Sequence, residues 1–438
     1  MSTLKGMGLK ALRLRNWAAP PFDPHRIDAV VLSHGHLDHS GYLPLLVKRG
    51  FRGPIHCTSG TADLIGVVLR DSAHLHEEDA RRANRYAYSK HHPALPLFTR
   101  EDADAALRRV QAHAYGEWFA ATSATRALFR RAGHILGSAT VELELDAGAS
   151  DPCRLAFSGD LGRWTRPILR DPELVPEADV LLVESTYGNR FHTTDAEVRL
   201  ADLINQTAQR KGIVVIPAFA IGRSQELMWT LHKLEDERRI PTLPVFVDSP
   251  MAIAVTEIYG KHPEDHDLDM QSLMNTHRNP LQSHQMQLLR TADESKSLNG
   301  RTGAMIIIAG SGMATGGRVL HHLKRLLPDA RNTILLPGFQ AAGTRGRSLQ
   351  EGAAALRMHG EDIPVRAQVE TLDGFSAHAD QGELLRWLRG FQHAPRHTYV
   401  VHGEDSAADT LASVITRELG WHASVAQDGA RVPLTRSV

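Results

Sequence analysis

The sequence predicts an α/β protein built around a parallel sheet. Two features of its pattern carry that prediction, and its length allows it. From about 195 to 370, short runs rich in Val, Ile and Leu alternate with amphipathic helical stretches, the rhythm of βαβ units. On either side of that region, apolar strand-like runs end instead in polar turns. The chain has 438 residues, 42% hydrophobic and 23% charged, enough for two or three domains with their own cores.

The elements run in order along the chain. "IDAVVLSH" (27–34) reads as a buried strand between Pro24 and a histidine-rich turn. Residues 40–50 form a short helix closed by Gly50, and 54–59 a second strand. A long helix covers 61–88 and is broken by Pro93 and Pro96; 101–112 is helical again. Two strands joined by a histidine-bearing turn fill 126–145. The stretches 153–162 and 178–188 are strands ending in polar residues. In the alternating region, helices over 195–211, 222–236 and 317–327 separate strands over 213–219, 243–249, 304–310 and 332–338. The polar span 261–300 reads as loop and short helix. A helix over 380–390, the strand of "HTYVVHGE" and a closing helix and strand complete the chain.

Composition excludes several classes. No apolar run reaches the roughly 18 residues that span a bilayer, so no membrane partner is expected. The N-terminus lacks a secretory pattern, and "LKGMGLKALRLRNW" (4–17) reads as a surface helix rather than a transit peptide. Cys57 and Cys153 stand far apart, which argues against a disulfide scaffold and for the reducing cytoplasm. Lys and Arg (50) balance Asp and Glu (50), so a polyanion must be held by a local groove or by metal ions.

The densest chemistry is "SHGHLDHSG". His34, His36, Asp38 and His39 follow a strand end, where a turn can aim several side chains into one crevice. Gly35 allows a tight path between two of them. Four ligands from so short a loop do not converge easily on one tetrahedral ion; two adjacent ions are simpler. Further donors stand at other strand ends: His134 in "AGHILGSA", Asp160 in "FSGDLG" and His402 in "VVHGE". Each has a plain alternative as a turn histidine, an Asx turn or a strand-end residue. Glu184 in "VESTYG" ends an apolar strand, where a carboxylate needs a partner. His378 in "GFSAHAD" sits in a small-residue loop; its plain reading is a surface histidine.

Together these segments resemble a known family. "SHGHLDHSG", "AGHILGSA" and "FSGDLG" resemble the HxHxDH, His and Asp signatures of the metallo-β-lactamase fold. "VESTYG", "GFSAHAD" and "VVHGE" resemble the further motifs of its β-CASP branch, whose members process nucleic acids. "PAFAIGRSQEL", "VDSPMA" and "AGSGMATGGR" are also similar, and the resemblance runs in order from about Asn16 to the C-terminus. It implies an αββα sandwich, residues 1–190 and 361–438, with a β-CASP domain of parallel βαβ units inserted over 191–360.

The resemblance also implies two Zn²⁺ ions: one on His34, His36 and His134, the other on Asp38, His39 and His402, with Asp160 bridging. Such a pair lowers the pKa of a shared water, and the hydroxide attacks phosphorus in line. Asp38 and Glu184 support that chemistry, Glu184 by orienting a ligand or the nucleophile. His378 protonates the leaving 3′ oxygen, so 5′-phosphate ends result. Ser311, Gly312, Met313 and Arg345, with Ser376, are the expected phosphate-side contacts; tight turns between strands and helices are the alternative for the first four. A histidine in the last motif accompanies the family's RNA enzymes, so His402 favours single-stranded RNA over DNA. Endonuclease and 5′–3′ exonuclease action both stay open, and a homodimer is the family expectation.

One departure stands out. The fold normally opens with strands carrying an aspartate in a "D-C/T-G" context, and "MGLKALRLRNWAAPPFDP" is similar to the segment C-terminal to that aspartate. The resemblance therefore leads us to expect that the opening strands and that aspartate are missing and that the start codon is assigned downstream of the true one; a degenerate paralogue and a partner-completed variant are the alternatives. Rival functions are a hydrolase of small esters, lactams or thioesters, which the inserted domain argues against, and an inactive RNA-binding scaffold, which the complete ligand set argues against.

Overall fold

The computed structural model describes residues 14–146, 149, 152–275, 279–432 and 434. The helix expected over 4–17 falls, up to residue 13, outside them. The chain divides into two compact units: Leu14–Phe191 with the residues from His378 onward, and His192–Ala377.

In chain order the first unit supplies β1 (Val30–Val31), β2 (Ile55–Thr58), β3 (Val110–His113), β4 (Phe119–Ala120), β5 (Thr125–Arg131), β6 (Ala139–Leu145), β7 (Cys153–Phe157) and β8 (Val180–Glu184). The second supplies β9 (Ile213–Pro217), β10 (Val245–Asp248), β11 (Met286–Leu288), β12 (Met305–Ala309), β13 (Thr333–Leu336), β14 (Ala355–Met358), β15 (Glu361–Pro364) and β16 (Gln368–Thr371). The first unit then closes with β17 (His397–Val401) and β18 (Ala423–Val425).

The first unit stacks two sheets between helices. One sheet has the order β1-β2-β3, the other β18-β17-β8-β7-β6-β5-β4. Leu46, Ile55, Cys57, Ile65, Leu69 and Ala103 pack helices Leu43–Lys48, Ser59–Arg85 and Arg100–Leu107 onto the small sheet. Leu181, Val183 and Val400 pack the large sheet onto Gln381–Leu388 and Asp405–Leu419 through Leu384, Leu388, Leu411 and Ile415. Between the sheets, Phe129, Ala139 and Val141 meet Val31 and Phe157. The layers are therefore α, β, β, α. Helix Ser59–Arg85 starts where Thr58 Oγ1 accepts the Thr61 N–H, and its buried Leu64, Ile65, Val68, Leu69 and Ser72 recur at the three-to-four-residue spacing of one face.

Two local expectations change. The 101–112 helix ends at Leu107, and Val110–His113 pairs in parallel with β2 instead, because a register with an existing strand outweighs weak helix propensity. The strand expected over 27–34 pairs only at Val30 and Val31, although the Leu32 N–H still reaches the His56 carbonyl at 2.8 Å.

The second unit is a six-stranded parallel sheet, β11-β10-β12-β9-β13-β16. Both faces are covered, which is why its strands read as unbroken apolar runs. Ile213, Val215, Ile307, Ile334 and Leu336 pack against Leu320, Leu323 and Leu326 of Val319–Leu326, while Val214, Ile216, Val247, Ile306 and Ile308 are buried on the other face. Among the described residues, the polar span 261–300 holds the short α-helices Leu268–Asn275 and Ala292–Ser297, the 3-10 turns Pro263–Asp265 and Leu298–Gly300, and the edge strand β11, whose three residues leave no periodic trace. Residues 361–377 group with this unit because β16 adds to the edge beside β13. Among the described residues, no helix is long and apolar enough to cross a membrane.

Candidate metal centre

Every proposed metal ligand lies in the first unit, on turns at strand ends. His34 and His36 follow β1, and His36 starts the one-turn helix Leu37–Ser40 that carries Asp38 and His39. His134 sits between β5 and β6, Asp160 after β7, and His402 directly after β17. Parallel pairing of β8 with β17 aligns Val401 with Glu184, which sets His402 and the "ESTYG" turn side by side.

Local geometry serves the site. A Cβ on Gly35 would stand 3.0 Å from Leu64 Cβ, so glycine there lets the loop lie against helix Ser59–Arg85. His402 adopts φ of +54°, a conformation rare for a residue with a Cβ, and sits where strain accompanies function. A Cβ on the following Gly403 would meet Ser185 Oγ at 2.3 Å.

The side chains converge in two groups. In the first, His36 Nδ1 is 3.2 Å from both His34 Nε2 and His134 Nε2, and Asp160 Oδ2 is 3.4 and 3.7 Å from those two nitrogens. In the second, His39 Nε2 and His402 Nε2 are 3.1 Å apart, and Asp38 Oδ2 is 3.3 Å from His402 Nε2. The other Asp160 oxygen, Oδ1, is 3.3 Å from His39 Nε2. Asp160 thus offers one oxygen to each group.

These groups fit metal ions. Two ligands about 2.05 Å from a tetrahedral zinc are about 3.3 Å apart, close to the separations here. Imidazole nitrogens crowded around a common point repel unless a cation sits between them. Asp160 Oδ1 is buried and accepts no hydrogen bond, the orphan acceptor a cation would satisfy. His34, His36, His134 and Asp160 form one candidate set, and Asp38, His39 and His402 another.

Electrostatics prepare the donors. Burial, helped by neighbouring His39, holds the His34 imidazole down at about 3; burial holds His36 at about 4 and His134 well below its usual range. All three are neutral at physiological pH, the form that ligates. Burial pushes the Asp160 carboxyl up, but His39, His402 and His34 outweigh it and keep the group ionised. Asp38 is likewise held below the usual carboxylate range by His402 and His39 against burial. Burial pulls His402 down, yet Asp160 and Asp38 carry it up to about 10. In the metal-free chain His402 therefore holds a proton that an arriving cation would displace.

Beside the ligands stands a carboxylate–imidazole pair. Glu184 is fully buried; its Oε1 accepts the Leu161 N–H at 2.6 Å and its Oε2 the Thr186 N–H at 3.2 Å. His378 Nδ1 lies 3.2 Å from each oxygen. Burial lowers the His378 imidazole, but the Glu184 carboxylate more than offsets this and raises it above 6.5. The His378 ring lies 4.3 Å, centroid to centroid, from that of His134.

Sequence reasoning missed the hydroxyls that aim the ligands. Ser33 Oγ is 3.2 Å from His34 Nδ1, and Thr186 Oγ1 is 3.2 Å from His402 Nδ1. Ser138 Oγ accepts the His134 N–H at 3.0 Å. Each stands within four residues of a ligand or of Glu184, so a scan for Ser and Thr inside the motifs would have found them.

The expected phosphate contacts lie in the second unit, after β12, β13 and β16. Ser311 Oγ accepts the N–H groups of Thr315 (3.0 Å) and Gly316 (3.3 Å). The Gly312 carbonyl accepts from Gln340 Nε2 at 3.1 Å, the Met313 carbonyl from the Gly346 N–H at 3.0 Å. Arg345 donates to the carbonyls of Arg357 (2.9 Å) and Thr315 (3.3 Å). Ser376 is buried and near Gly338, where a Cβ would lie 4.0 Å from Ser376 Cα. Ser311, Gly312, Met313 and Arg345 thus spend these polar atoms on neighbouring loop residues: Thr315, Gly316, Gln340, Gly346 and Arg357.

The matches with known proteins agree with this geometry. Residues 6–210 match the Beta-lactamase superfamily domain, 224–349 the Beta-Casp domain, and 362–426 the Zn-dependent metallo-hydrolase RNA specificity domain. "Ribonuclease TTHA0252" of Thermus thermophilus is 37% identical over 422 residues, covering 96% of this chain and 91% of that protein. The chain belongs to the β-CASP branch of the metallo-β-lactamase superfamily. An "RNase J-like protein" of Methanocaldococcus jannaschii is 32% identical over 420 residues, with 95% of this chain and 90% of the relative covered. "Transcription termination factor FttA" of Methanosarcina mazei is 32% identical over 414 residues, and this β-CASP chain spans 62% of its length. The family is one of metallo-hydrolases, so metal binding belongs to this chain as well.

Proposed function

We propose that the protein is a two-zinc ribonuclease that hydrolyses single-stranded RNA and leaves 5′-phosphate ends. The observation that supports this best is the double ligand set around Asp160, one oxygen facing each group, beside the Glu184–His378 pair. The names of the Thermus and Methanocaldococcus relatives support the substrate class.

His34, His36 and His134 would hold one ion and Asp38, His39 and His402 the other, with Asp160 shared. When bound, the ions supply Lewis acidity and a lowered water pKa at neutral pH. The chain's own residues do the rest. Glu184 accepts the His378 Nδ1–H, which fixes the ring's orientation and favours its protonated form. His378 Nε2 then gives its proton to the leaving 3′ oxygen, so the upstream fragment ends in a hydroxyl and the downstream fragment in a 5′-phosphate. Neutral His34 and His36 leave their lone pairs free for ligation at the same pH.

The test combines metal counting with cleavage of end-labelled RNA and DNA by wild type and His402→Ala. We expect two zincs per wild-type chain, fewer in the variant, and loss of RNA cleavage. Fewer than two zincs in wild type, or cleavage untouched by the variant, sinks the proposed site; preference for DNA overturns the substrate. Light scattering tests the expected dimer.

A further inference from the structure

We propose that the far end of helix Ser59–Arg85, with the loop that follows it, is a docking site for single-stranded RNA, separate from the metal centre. The choice of RNA rests on the ribonuclease reading above. The helix starts against the turn that carries His134: Thr58 Oγ1 and Thr61 Oγ1 both donate to the Gly137 carbonyl, at 2.5 and 2.8 Å. Gly35, between two of the proposed ligands, lies against Leu64. A rise of about 1.5 Å per residue then carries Arg85 about 30 Å along the axis from Leu64.

The far end is ordered, exposed and cationic. Asn84 pins the loop: its Nδ2 donates to the Ala94 carbonyl at 2.9 Å, and its Oδ1 accepts the Ala94 N–H at 2.7 Å. Inside the loop, Ser89 Oγ accepts the His91 N–H at 3.0 Å. Leu97 and Phe98 bury the returning chain, yet Tyr86 and Tyr88 stand 65% and 62% exposed. Residues 80–98 contain Arg81, Arg82, Arg85 and Lys90 and no Asp or Glu, in a chain whose net charge is zero. Glu78 pairs with Arg81. Among the described residues no carboxylate pairs with Arg82, Arg85 or Lys90, and the Arg85 guanidinium lies 5.7 Å from the Tyr86 ring centroid.

The helix end alone does not explain this set. Cations in a last turn complement the helix dipole, which accounts for Arg82 and Arg85. It does not account for Lys90, or for two tyrosines left in water on a pinned loop. A single-stranded polyanion uses both features: its phosphates meet the unpaired cations, and its unstacked bases lie on the aromatic rings. A second copy meeting through the same patch would set like charges against one another, which disfavours it. A long RNA would thus be held at two points, and a trinucleotide in the metal centre at one.

The experiment follows the fluorescence anisotropy of labelled poly(U) on the full chain, with His378→Ala in every sample to slow cleavage. We expect Tyr86→Ala with Tyr88→Ala to weaken binding about 10-fold or more, and Tyr86→Phe with Tyr88→Phe to bind as the parent does. Arg82→Gln, Arg85→Gln and Lys90→Gln together should reduce the slope of log K against log salt by about 2. With His378 intact, the alanine pair should raise KM for poly(U) while leaving kcat and trinucleotide cleavage unchanged. Unaltered poly(U) affinity in both the alanine and the glutamine variants, with circular dichroism unchanged, overturns the site. Variants that keep poly(U) binding but lose binding to phosphatidylserine vesicles, or lose a dimer by light scattering, overturn RNA as its occupant. Poly(U) bound through this site but never cleaved refutes the ribonuclease reading alone; cleavage with variants that bind normally refutes the docking site alone.

Discussion

Glu184→Gln isolates the carboxylate that organises the candidate active site. Glu184 accepts two backbone N–H groups and faces His378 Nδ1, all from a fully buried position. Glutamine keeps the shape but turns one acceptor oxygen into a donor and removes the charge. A charge-assisted hydrogen bond contributes about 1.5–3 kcal/mol, and a buried donor left unpaired costs about 1–3 kcal/mol. Turnover would then fall by roughly 3 kcal/mol of transition-state stabilisation, about 100-fold. The pH profile gives a second readout. A general acid works while protonated, and its contribution fades as pH rises through its pKa. Glu184 raises the His378 imidazole, so its loss moves the alkaline limb of kcat to lower pH. The assay is steady-state cleavage of end-labelled RNA from pH 5 to 9, with zinc counted in each sample. Glu184→Gln, His378→Ala and the double variant complete a cycle. We expect the double variant to be hardly slower than His378→Ala alone. Fully additive losses, or an alkaline limb that does not move, would refute the view that Glu184 acts through His378.

Other parts of the molecule give further expected outcomes. Asp248, fully buried, accepts from Ser295 Oγ (2.6 Å) and Arg318 (2.7 Å) and faces His322 Nε2 at 2.7 Å, so Asp248→Asn should cost about 3–5 kcal/mol in urea unfolding. Burial pushes that carboxyl up, but His322, Ser295 and Arg318 hold it below 3.8; its stabilisation is present above 3.8 and fades as pH falls through the lower folded value, a loss Asp248→Asn should abolish. Gly162→Ala would place a Cβ 1.9 Å from the Gly133 carbonyl, and because the obstacle is the Gly133–His134 backbone rather than a flexible side chain we expect about 3 kcal/mol of destabilisation and weaker metal retention through adjacent His134, measured by thermal melting and zinc counting. Stripping metal with a chelator should lower the melting temperature and abolish cleavage, both restored by zinc; an ion at a thousand times its Kd adds about 4 kcal/mol to stability.

How much is legible in the sequence differs by element. The βαβ rhythm of the second unit is plain because strands buried on both faces leave long apolar runs. β3 reads as helix, and β11 and β16 escape notice, because short strands gain stability from a neighbour rather than from their own residues. The ligand residues stand out by type and by position at strand ends. Their division into two groups comes from the family resemblance, since spacing alone leaves one ion, two ions or none open.

The sequence by itself determined which side chains can do chemistry here: the histidines and carboxylates are dense, and residue type decides ligand capacity. Only the tertiary structure decided how they meet. It turned the two oxygens of Asp160 toward different groups of imidazoles, 3.4 Å from His34 and 3.3 Å from His39. It also brought Glu184 against His378 across 194 residues of chain. The reason is that burial and hydrogen-bond direction depend on which strands pair, and pairing joins positions whose separation along the chain carries no record of it.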